Sequence, residues 1–334
     1  MAVLVTGGAG YIGSHTCVEL LNSGYEVVIV DDLSNSNKDV VSKIELITGK
    51  SVKFYEKNVL DETGIRSVFA ENKIDSVIHF AAFKAVGESV QKPLAYYRNN
   101  LGGLLTLCRV MQDYSCKNIV FSSSATVYGK PKSLPIKEDF PLSVTNPYGS
   151  TKLVSENILK DLFISDPEWN VVILRYFNPI GAHDSGLLGE MPNGIPNNLM
   201  PYITQVGEGK LSFLQIYGDD YNTHDGTGVR DYIHVVDLAK GHIKALIKLD
   251  ECSGGVFIYN LGTGIGYSVL DIVHAFESST GIKIPYKIVA RRAGDVDACY
   301  ADATKAYNEL GWKAEQTLED MCRSSWKFTN KYFH

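Results

Sequence analysis

Short runs of apolar, often β-branched residues alternate through the first half of the chain with segments whose apolar residues recur at helical spacing. A run that is apolar at successive positions is typical of a parallel strand buried on both faces. Six such strands are predicted, at residues 2–6, 26–30, 52–55, 76–81, 118–122 and 171–176. Helices are predicted between them, at about 12–23, 61–72, 93–115 and 147–164. This alternation favours an α/β fold with a doubly wound parallel sheet.

The alternation of strands and helices breaks after residue 176. Residues 178–201 are rich in Gly, Asn and Pro and poor in regular patterns, which is typical of a loop-built binding surface. A helix at about 235–249 and a strand at 256–261 predict that the chain then re-enters the main sheet. We therefore expect a larger domain of residues 1–176, to which about 235–261 return. A smaller α/β lobe would come mainly from residues 177–334.

Composition narrows the class of protein. The chain has 334 residues, enough for a large core, and its net charge of -6 provides no basic surface for nucleic acid or anionic lipid. No apolar stretch is long enough to span a membrane, and the N-terminus lacks the pattern of a targeting segment. The six cysteines show neither a CxxC pair nor a zinc-like spacing, so we expect reduced thiols and no metal. A cytoplasmic protein without nucleic-acid or membrane partners is expected.

A glycine-rich turn follows the first strand. Gly7, Gly10 and Gly13 lie in TGGAGYIG, directly before a helical pattern. Such glycines allow a tight turn, the close approach of a pyrophosphate to the backbone, and close packing of helix on strand. The pattern alone would also fit an ordinary turn, but its place between a strand and a helix favours a Rossmann-type dinucleotide site.

Asp31 and Asp32 close the second predicted strand. A carboxylate roughly 20 residues after the glycine turn can bind the two hydroxyls of the adenine ribose and repel a 2′-phosphate, which favours NAD over NADP. The alternative is a solvated acidic turn.

Tyr148 and Lys152 form a YxxxK pair in a predicted helix that has Pro147 in its first turn. Residues i and i+4 share a helix face, so the phenol and the ammonium would lie together. Positive charge nearby lowers the pKa of a tyrosine from about 10 towards the range of a useful base, whereas burial raises it. The serines at 122–124 close the fifth strand, at the edge where doubly wound sheets place ligands. A surface Tyr–Lys pair and a serine helix cap are the alternatives without catalytic function.

Longer motifs carry a family resemblance along almost the whole chain. They are GGAGYIGSH, DDLSNS, HFAA with Lys84, SSSATVYG, NPYGSTK, RYFNPIGAH, PNNLMPY and VRDYIHV. Together they resemble the UDP-glucose 4-epimerases of the extended short-chain dehydrogenase/reductase family. The resemblance implies reversible 4-epimerisation of UDP-glucose and UDP-galactose, in galactose metabolism, through a transient 4-keto sugar and tightly bound NAD.

The resemblance also implies roles for residues of the dinucleotide half. Tyr148 would act as acid and base on the sugar 4-hydroxyl, Lys152 would hold the nicotinamide ribose and lower the pKa of Tyr148, and Ser124 would bind the same 4-oxygen. The NAD site would consist of Gly7, Gly10, Tyr11, Ile12, Gly13, Asp31, Asp32, Asn35, Asn58, Val59, Phe80, Ala81, Lys84, Asn99, Ser122, Tyr148, Lys152 and Tyr176. Core packing is the alternative for Phe80 and Ala81. Asn58 stands where the family often has an aspartate that accepts from the adenine amino group, and its amide oxygen can still accept that bond.

The UDP-hexose site implied by the resemblance draws on the second lobe. It would consist of Ser124, Asn178, Asn198, Leu199, Tyr217, Arg230, Arg292, Asp295 and Cys299. Arginine suits a diphosphate because its planar fork makes paired, charge-assisted hydrogen bonds. The alternatives are an ion pair with Asp231 for Arg230, a solvated basic turn for Arg292, and core packing for Tyr217.

Two other functions remain open from the residues. A nucleotide-sugar 4,6-dehydratase needs further acid/base carboxylates beside the serine, and this chain has Ala125 and Thr126 there. A catalytically silent NAD-binding regulator would not need the set of Ser124, Tyr148 and Lys152. The sequence therefore favours an epimerase over both.

Substrate breadth and assembly are two further expectations from the family. The position that matches Cys299 lies beside the hexose 2-substituent, and a tyrosine there accompanies restriction to plain hexoses. The smaller cysteine predicts that UDP-N-acetylglucosamine and UDP-N-acetylgalactosamine are interconverted as well, unless a neighbouring side chain fills the space. The family also implies a homodimer. Apolar positions in the helices at about 93–115 and 147–164 fit either its interface or the core.

Overall fold

Strands and helices alternate through residues 2–176 in the computed structural model, which describes residues 1–192, 194, 196–292 and 294–333. The elements of this part are β1 (Ala2–Thr6), α1 (Tyr11–Asn22), β2 (Glu26–Asp31), α2 (Asp39–Thr48), β3 (Lys53–Glu56), α3 (Glu62–Glu71), β4 (Ser76–His79), α4 (Val86–Gln91), α5 (Pro93–Asp113), β5 (Asn118–Ser124), α6 (Pro147–Ser165) and β6 (Asn170–Tyr176). A short 3₁₀ turn, Ala125–Tyr128, follows β5.

The rest of the described chain contributes seven further strands and five further helices. Its elements are β7 (Asn178–Ile180), α7 (Leu199–Gly207), β8 (Leu214–Tyr217), β9 (Val229–His234), α8 (Val235–Asp250), β10 (Gly255–Leu261), β11 (Gly266–Ser268), α9 (Val269–Thr280), β12 (Tyr286–Val289), β13 (Ala298–Cys299), α10 (Thr304–Leu310) and α11 (Leu318–Phe333).

The main sheet has seven parallel strands in the order β10-β6-β5-β4-β1-β2-β3. The chain runs outward from β1 in both directions, so the strand order reverses between β1 and β4. The carboxyl ends of strands on either side of such a switch point form the crevice in which doubly wound folds bind ligands. The doubly wound α/β fold expected from the sequence is confirmed.

The strand pattern of the sequence corresponds closely to the sheet. The apolar runs predicted as strands coincide with β1 to β6 to within two residues at each end, and the run at 256–261 is β10. One expectation is wrong in detail, because β3 is not buried on both faces. It is an edge strand whose residues are exposed or half-buried, with a neighbour on one side only.

Helices α2 and α4 have no counterpart in the sequence prediction. Ile44 is the only residue of α2 that is fully buried, and α4 is six residues long with Ser89 as its only fully buried residue. Elements that bury so little produce a weak periodic signal.

The smaller lobe is built around β9. Strands β7 and β13 pair with β9 in parallel, β11 pairs with it antiparallel, and β8 and β12 form a separate two-stranded sheet. Its core includes Ile203, Ile216, Phe276 and Met321. Between these elements the chain returns to the larger domain, where α8 packs on α1 and β10 pairs with β6. The lobe is therefore attached at the carboxyl edge of the main sheet.

Two further features bear on the expectations from composition. All six cysteines are free thiols. In the part of the chain that the structure describes, no helix is both long enough and apolar enough to cross a bilayer.

Candidate active site

The turn between β1 and α1 has no room for side chains at its glycines. A Cβ atom added to Gly13 would lie 2.2 Å from the carbonyl oxygen of Gly7. Gly7 has a φ of 73°, and a Cβ atom there would lie 2.8 Å from the backbone nitrogen of Ala81. Gly10 is the N-cap of α1 and offers no side chain to the free N–H groups of the first turn. The turn therefore presents bare backbone at a helix N-terminus, which fits a dinucleotide pyrophosphate.

Asp31 ends β2 beside this turn. Its carboxylate accepts hydrogen bonds from the backbone N–H groups of Ala9 and Leu33, both at 3.0 Å, and from the hydroxyl of Ser36 at 2.8 Å. Burial raises the pKa of Asp31, while the hydrogen bonds from Ser36 and the two backbone groups lower it in part. The carboxylate is thus fixed where the fold places the hydroxyls of an adenine ribose.

Asp32 and Asn58 form a second pair, after β2 and β3. Asn58 donates from its amide nitrogen to the Asp32 carboxylate at 2.7 Å, and its amide oxygen accepts from the N–H of Leu60 at 2.8 Å. The oxygen that the sequence assigns to adenine therefore has one partner already and one lone pair left for a second bond. Asn35 is exposed in the loop after β2, and Val59 is buried.

The remaining residues assigned to NAD lie around the same edge of the sheet. They are Tyr11 and Ile12 at the start of α1, Phe80, Ala81 and Lys84 after β4, Asn99 on α5, Ser122 on β5 and Tyr176 on β6. The Tyr11 hydroxyl donates to the carbonyl oxygen of Gly181 at 2.6 Å, which connects the glycine turn to the smaller lobe. These positions lie on α1 and α5, at the carboxyl ends of β5 and β6 or in the loop after β4, and their contact with NAD stays a prediction.

Helix α6 places Tyr148 and Lys152 on one face. Asn146 caps the helix, its side chain accepting from the N–H of Gly149 at 2.9 Å, and Pro147 is the first helical residue. The Lys152 Nζ atom lies 5.9 Å from the centroid of the Tyr148 ring. It also donates at 2.6 Å to the carbonyl oxygen of Ser122 in β5, which fixes the ammonium against the sheet.

Burial dominates the electrostatics of this pair. It raises the pKa of Tyr148 to about 12, and a hydrogen bond with Ser124 lowers that value in part. Burial lowers the pKa of Lys152 to about 7, opposed by the negative charge of Glu156. In this structure, burial therefore raises the pKa of Tyr148 by more than the neighbouring Lys152 ammonium lowers it. Such a phenol acts as a base near neutral pH only when further positive charge lies beside it.

The end of β5 supplies the third catalytic candidate. The side chain of Ser124 is hydrogen-bonded to Tyr148, and its hydroxyl accepts from the N–H of Thr126 at 3.2 Å. Two residues earlier, the hydroxyl of Ser122 is hydrogen-bonded to that of Tyr176 on β6. The structure thus brings the serine, the phenol and the ammonium together at the carboxyl end of the sheet.

Two arginines of the smaller lobe face aromatic or acidic partners. The guanidinium carbon of Arg292 lies 3.9 Å from the centroid of the Tyr217 ring. Arg230 Nη2 lies 3.7 Å from Asp295 Oδ1, so its carboxylate partner is Asp295 and not Asp231. Four of the residues assigned to the substrate therefore form two pairs, and planar groups such as these suit a base and a diphosphate.

A carboxylate joins the two halves of the crevice. The Lys84 ammonium and the Asn198 amide both donate to Glu190 Oε1, at 2.9 and 2.7 Å. Lys84 belongs to the larger domain, whereas Asn198 directly precedes α7, which Leu199 begins. Asn178 begins β7 and is exposed. Residues assigned to the cofactor and to the substrate thus share one partner.

Cys299 lies in β13, in register with Arg230 of β9. It is partly buried and packs against an apolar cluster that contains Val127 and Phe177. Ala125, the residue after Ser124, packs on the same cluster. The cysteine therefore lies near the catalytic end of β5.

Sequence reasoning missed two carboxylates, the largely buried Glu190 and the fully buried Glu156. Glu190 lies in the irregular segment, where no periodic pattern indicates its partners. Glu156 carried a usable signal, because it follows Lys152 by one helical turn and so shares its face. Its partners Ser123 and Arg175 come from two other elements, which no local pattern reveals.

The chain matches known proteins over nearly its whole length. Residues 4–325 match the family model described as GDP-mannose 4,6 dehydratase. UDP-glucose 4-epimerase of Bacillus subtilis (strain 168) is 62% identical over 328 residues, which are 98% of this chain and 96% of that relative.

Solved structures match as closely. The UDP-glucose 4-epimerase from Bifidobacterium longum, in complex with NAD+ and UDP, has a TM-score of 0.96 and 58% identity, with 99% of this chain and 98% of that chain covered. The UDP-Glc/GlcNAc 4-epimerase from Campylobacter jejuni has a TM-score of 0.86 and 36% identity, with 99% of each chain covered. From the fold, the arrangement of the crevice and these similarities, the chain belongs to the UDP-glucose 4-epimerases of the extended short-chain dehydrogenase/reductase family.

Proposed function

We propose that this protein interconverts UDP-glucose and UDP-galactose by NAD-dependent inversion of carbon 4 of the sugar. The observation that carries the proposal is the meeting of Ser124, Tyr148 and an ammonium at the carboxyl end of β5. A glycine turn fit for a pyrophosphate lies at the same edge of the sheet. The family of the chain is that of proteins with this activity.

The residues of the larger domain would transfer one proton between the sugar and the protein. Tyr148, as a phenolate, accepts the proton of the 4-hydroxyl while the sugar becomes a 4-ketose, and it later donates the proton back on the opposite face. Ser124 holds the same oxygen, and Lys152 supplies positive charge beside the phenolate. When bound, NAD supplies the acceptor for the C4 hydride and the donor for its return. Because the sugar is neither oxidised nor reduced overall, nothing has to leave the site between the two halves of the reaction.

The residues of the smaller lobe would hold the UDP half. Arg230 and Arg292 offer forked donors for phosphate oxygens, and Tyr217 offers a flat face. Binding energy concentrated on UDP leaves the hexose free to turn and present its other face to the nicotinamide. A pocket tightly complementary to one hexose orientation would oppose that turn.

The rival activity is dehydration, the reaction named in the matching family model. It requires acid/base carboxylates next to the catalytic serine. Ala125 and Thr126 follow Ser124 here, and the Thr126 backbone is already bonded to the serine hydroxyl. These residues favour epimerisation.

Product analysis with UDP-galactose tests the proposal. We expect UDP-glucose from the unaltered protein and almost none from Tyr148→Phe. A 4-keto-6-deoxy sugar would instead identify a dehydratase. The absence of any product from protein that retains NAD would identify a binding protein without this activity.

We further propose a homodimer formed through α5 and α6. Leu94 and Leu105 of α5 and Ile164 of α6 are exposed apolar residues on helices that pack side by side. Contact with a second copy would remove them from water. Leu105→Lys should shift the molar mass in light scattering to that of a monomer, whereas Ile288→Lys, at an exposed position of the smaller lobe, should not. A monomeric unaltered protein would refute the proposal.

A cytoplasmic location is proposed from the thiols. All six cysteines are free, which suits a reducing compartment. Fractionation of the cells that express the protein tests this.

A further inference from the structure

A carboxylate lies completely buried one turn beyond the catalytic lysine. Glu156 follows Lys152 at i+4 on α6, and none of its side chain is exposed. A buried carboxylate is costly unless it is paired and hydrogen-bonded. Its partners therefore show what the protein gains from keeping it.

Glu156 ties α6 to two strands of the sheet. The Arg175 guanidinium of β6 binds it in two places, Nε to Oε1 at 2.9 Å and Nη2 to Oε2 at 2.6 Å. The Ser123 hydroxyl of β5 donates to Oε1 at 2.6 Å. Ser123 lies between Ser122, whose carbonyl oxygen receives the Lys152 ammonium, and Ser124, which is bonded to Tyr148.

Positive charges outnumber the single negative charge around Glu156. The side chain of Arg175 is 1% exposed, Lys152 is almost completely buried, and Lys160 Nζ lies 3.9 Å from Glu156 Oε2. One buried carboxylate thus faces two buried cations and a third that is partly exposed.

The other groups that face Lys152 offer no second negative charge among the described residues. They are the phenol of Tyr148, the ring of Phe121 and the imidazole of His79 on β4. Burial lowers the pKa of His79 to about 3, so this ring is neutral near pH 7. The negative charge of Glu156 opposes the effect of burial on the pKa of Lys152.

We propose that Glu156, fixed by Arg175 and Ser123, is a positioning residue for the reaction. It holds the face of α6 against β5 and supplies the negative charge that keeps the Lys152 side chain an ammonium beside Tyr148. The proposal rests on the roles given above to Tyr148 and Lys152.

The chemistry of the two cations explains why the lysine depends on this charge. An arginine keeps its proton at any pH a protein tolerates, whereas a buried lysine readily loses its proton. Without Glu156, the site would hold two buried cations and no counter-charge. Lys152 is the one that would become neutral.

Two substitutions should move the titration of Lys152 in opposite directions. Glu156→Gln removes the negative charge and leaves Arg175, so the pKa of Lys152 should fall by about 1 to 3. Arg175→Met removes the competing cation and leaves the carboxylate for Lys152, so that pKa should rise. A role of the pair in stability alone would make both variants less stable and move neither titration.

The titration is measured directly and through catalysis. Protein labelled with ¹³C at the lysine Cε carbon, with the Lys152 signal assigned by Lys152→Met, reports the pKa of Lys152 by NMR without turnover. The alkaline limb of the profile of kcat against pH reports the same group during turnover. We expect both to shift to lower pH in Glu156→Gln and to higher pH in Arg175→Met. Ser123→Ala, which removes a hydrogen bond but no charge, should leave both where they are.

A double variant guards against loss of folding. Glu156→Gln leaves the buried Arg175 without its carboxylate partner. It is therefore combined with Arg175→Met, because removing both members of a buried pair is tolerated better than removing one. The double variant should regain thermal stability and show a lower pKa of Lys152 than Arg175→Met alone, because only the charge of Glu156 differs between those two proteins. An unchanged pKa of Lys152 in both single variants, or the same pKa in Arg175→Met and the double variant, would overturn the proposal if the unaltered protein is active. An inactive unaltered protein would instead overturn the proposed function.

Discussion

Replacing Lys152 with methionine should make Tyr148 a much weaker base. Burial raises the pKa of that phenol to about 12. At about pH 6, where Lys152 with its pKa of about 7 is mostly an ammonium, only about one phenol in 10⁶ would be ionised by itself, and ionisation costs about 8 kcal/mol. The Lys152 ammonium lies 5.9 Å from the centroid of the Tyr148 ring. At an effective dielectric constant of about 20, one positive charge at this distance stabilises the phenolate by about 3 kcal/mol and lowers its pKa by about two.

The assay follows from these magnitudes. Lys152→Met should lower kcat about 100-fold at about pH 6, where Lys152 is charged, and move the acidic limb of its pH profile upward by about two. The ultraviolet absorbance of tyrosinate, taken as the difference between each protein and its Tyr148→Phe counterpart, gives the pKa of Tyr148 alone. Lys160→Met is the matched control, because Lys160 lies on the same helix about two turns beyond Lys152.

Two results would refute this reasoning. An unchanged pKa of Tyr148 in Lys152→Met would show that the ammonium does not set the basicity of the phenol. Equal effects of Lys152→Met and Lys160→Met would show that loss of positive charge anywhere on α6 is enough.

Three further predictions concern the cofactor turn, substrate breadth and acid stability. Gly13→Ala should abolish the retention of NAD through gel filtration, because its Cβ would meet the Gly7 carbonyl oxygen at 2.2 Å. Gly87→Ala, where a Cβ meets no atom within 4 Å, should retain NAD. Equal NAD content in the two variants would contradict the account of the turn. Cys299→Tyr should suppress epimerisation of UDP-N-acetylgalactosamine, by about tenfold to 100-fold, and spare UDP-galactose; an unaltered protein inactive on the N-acetyl sugar would defeat the size argument. Burial lowers the pKa of His15 and His79 to about 3, below the value of about 6.5 in an unfolded chain. Between these two pH values the unfolded state binds more protons than the folded state. The free energy of unfolding should therefore fall as the pH drops below about 6.5. Each histidine should contribute a loss of up to about 1.4 kcal/mol per pH unit, and equal urea midpoints at about pH 7 and pH 5 would exclude it.

The parts of the fold that the sequence predicts well are those with local causes. Strand β1 is apolar at successive positions because both of its faces are covered, and Gly13 is required by contacts six residues away along the chain. Tyr148 and Lys152 share a face because both lie on one helix. Short-range patterns of this kind need no knowledge of the tertiary structure.

The parts that the sequence did not predict depend on distant partners. Arg175 lies within an apolar, buried strand, where the local sequence indicates no partner for its charge. That partner is Glu156, which the packing of α6 on the sheet places opposite it. Glu190 meets Lys84 across 106 residues of chain. The balance between burial and charge at Tyr148 likewise depends on how deep the finished crevice is.

The central claim is that one site removes a hydride from carbon 4 and returns it to the same carbon. It is tested most directly with UDP-galactose that carries deuterium at C4, incubated with purified protein and no added NAD, followed by mass spectrometry and NMR of the product. The account predicts UDP-glucose with the deuterium still at C4, no deuterium lost to solvent and no such product from Tyr148→Phe. Loss of the label from C4, or release of reduced dinucleotide in proportion to product, would contradict it.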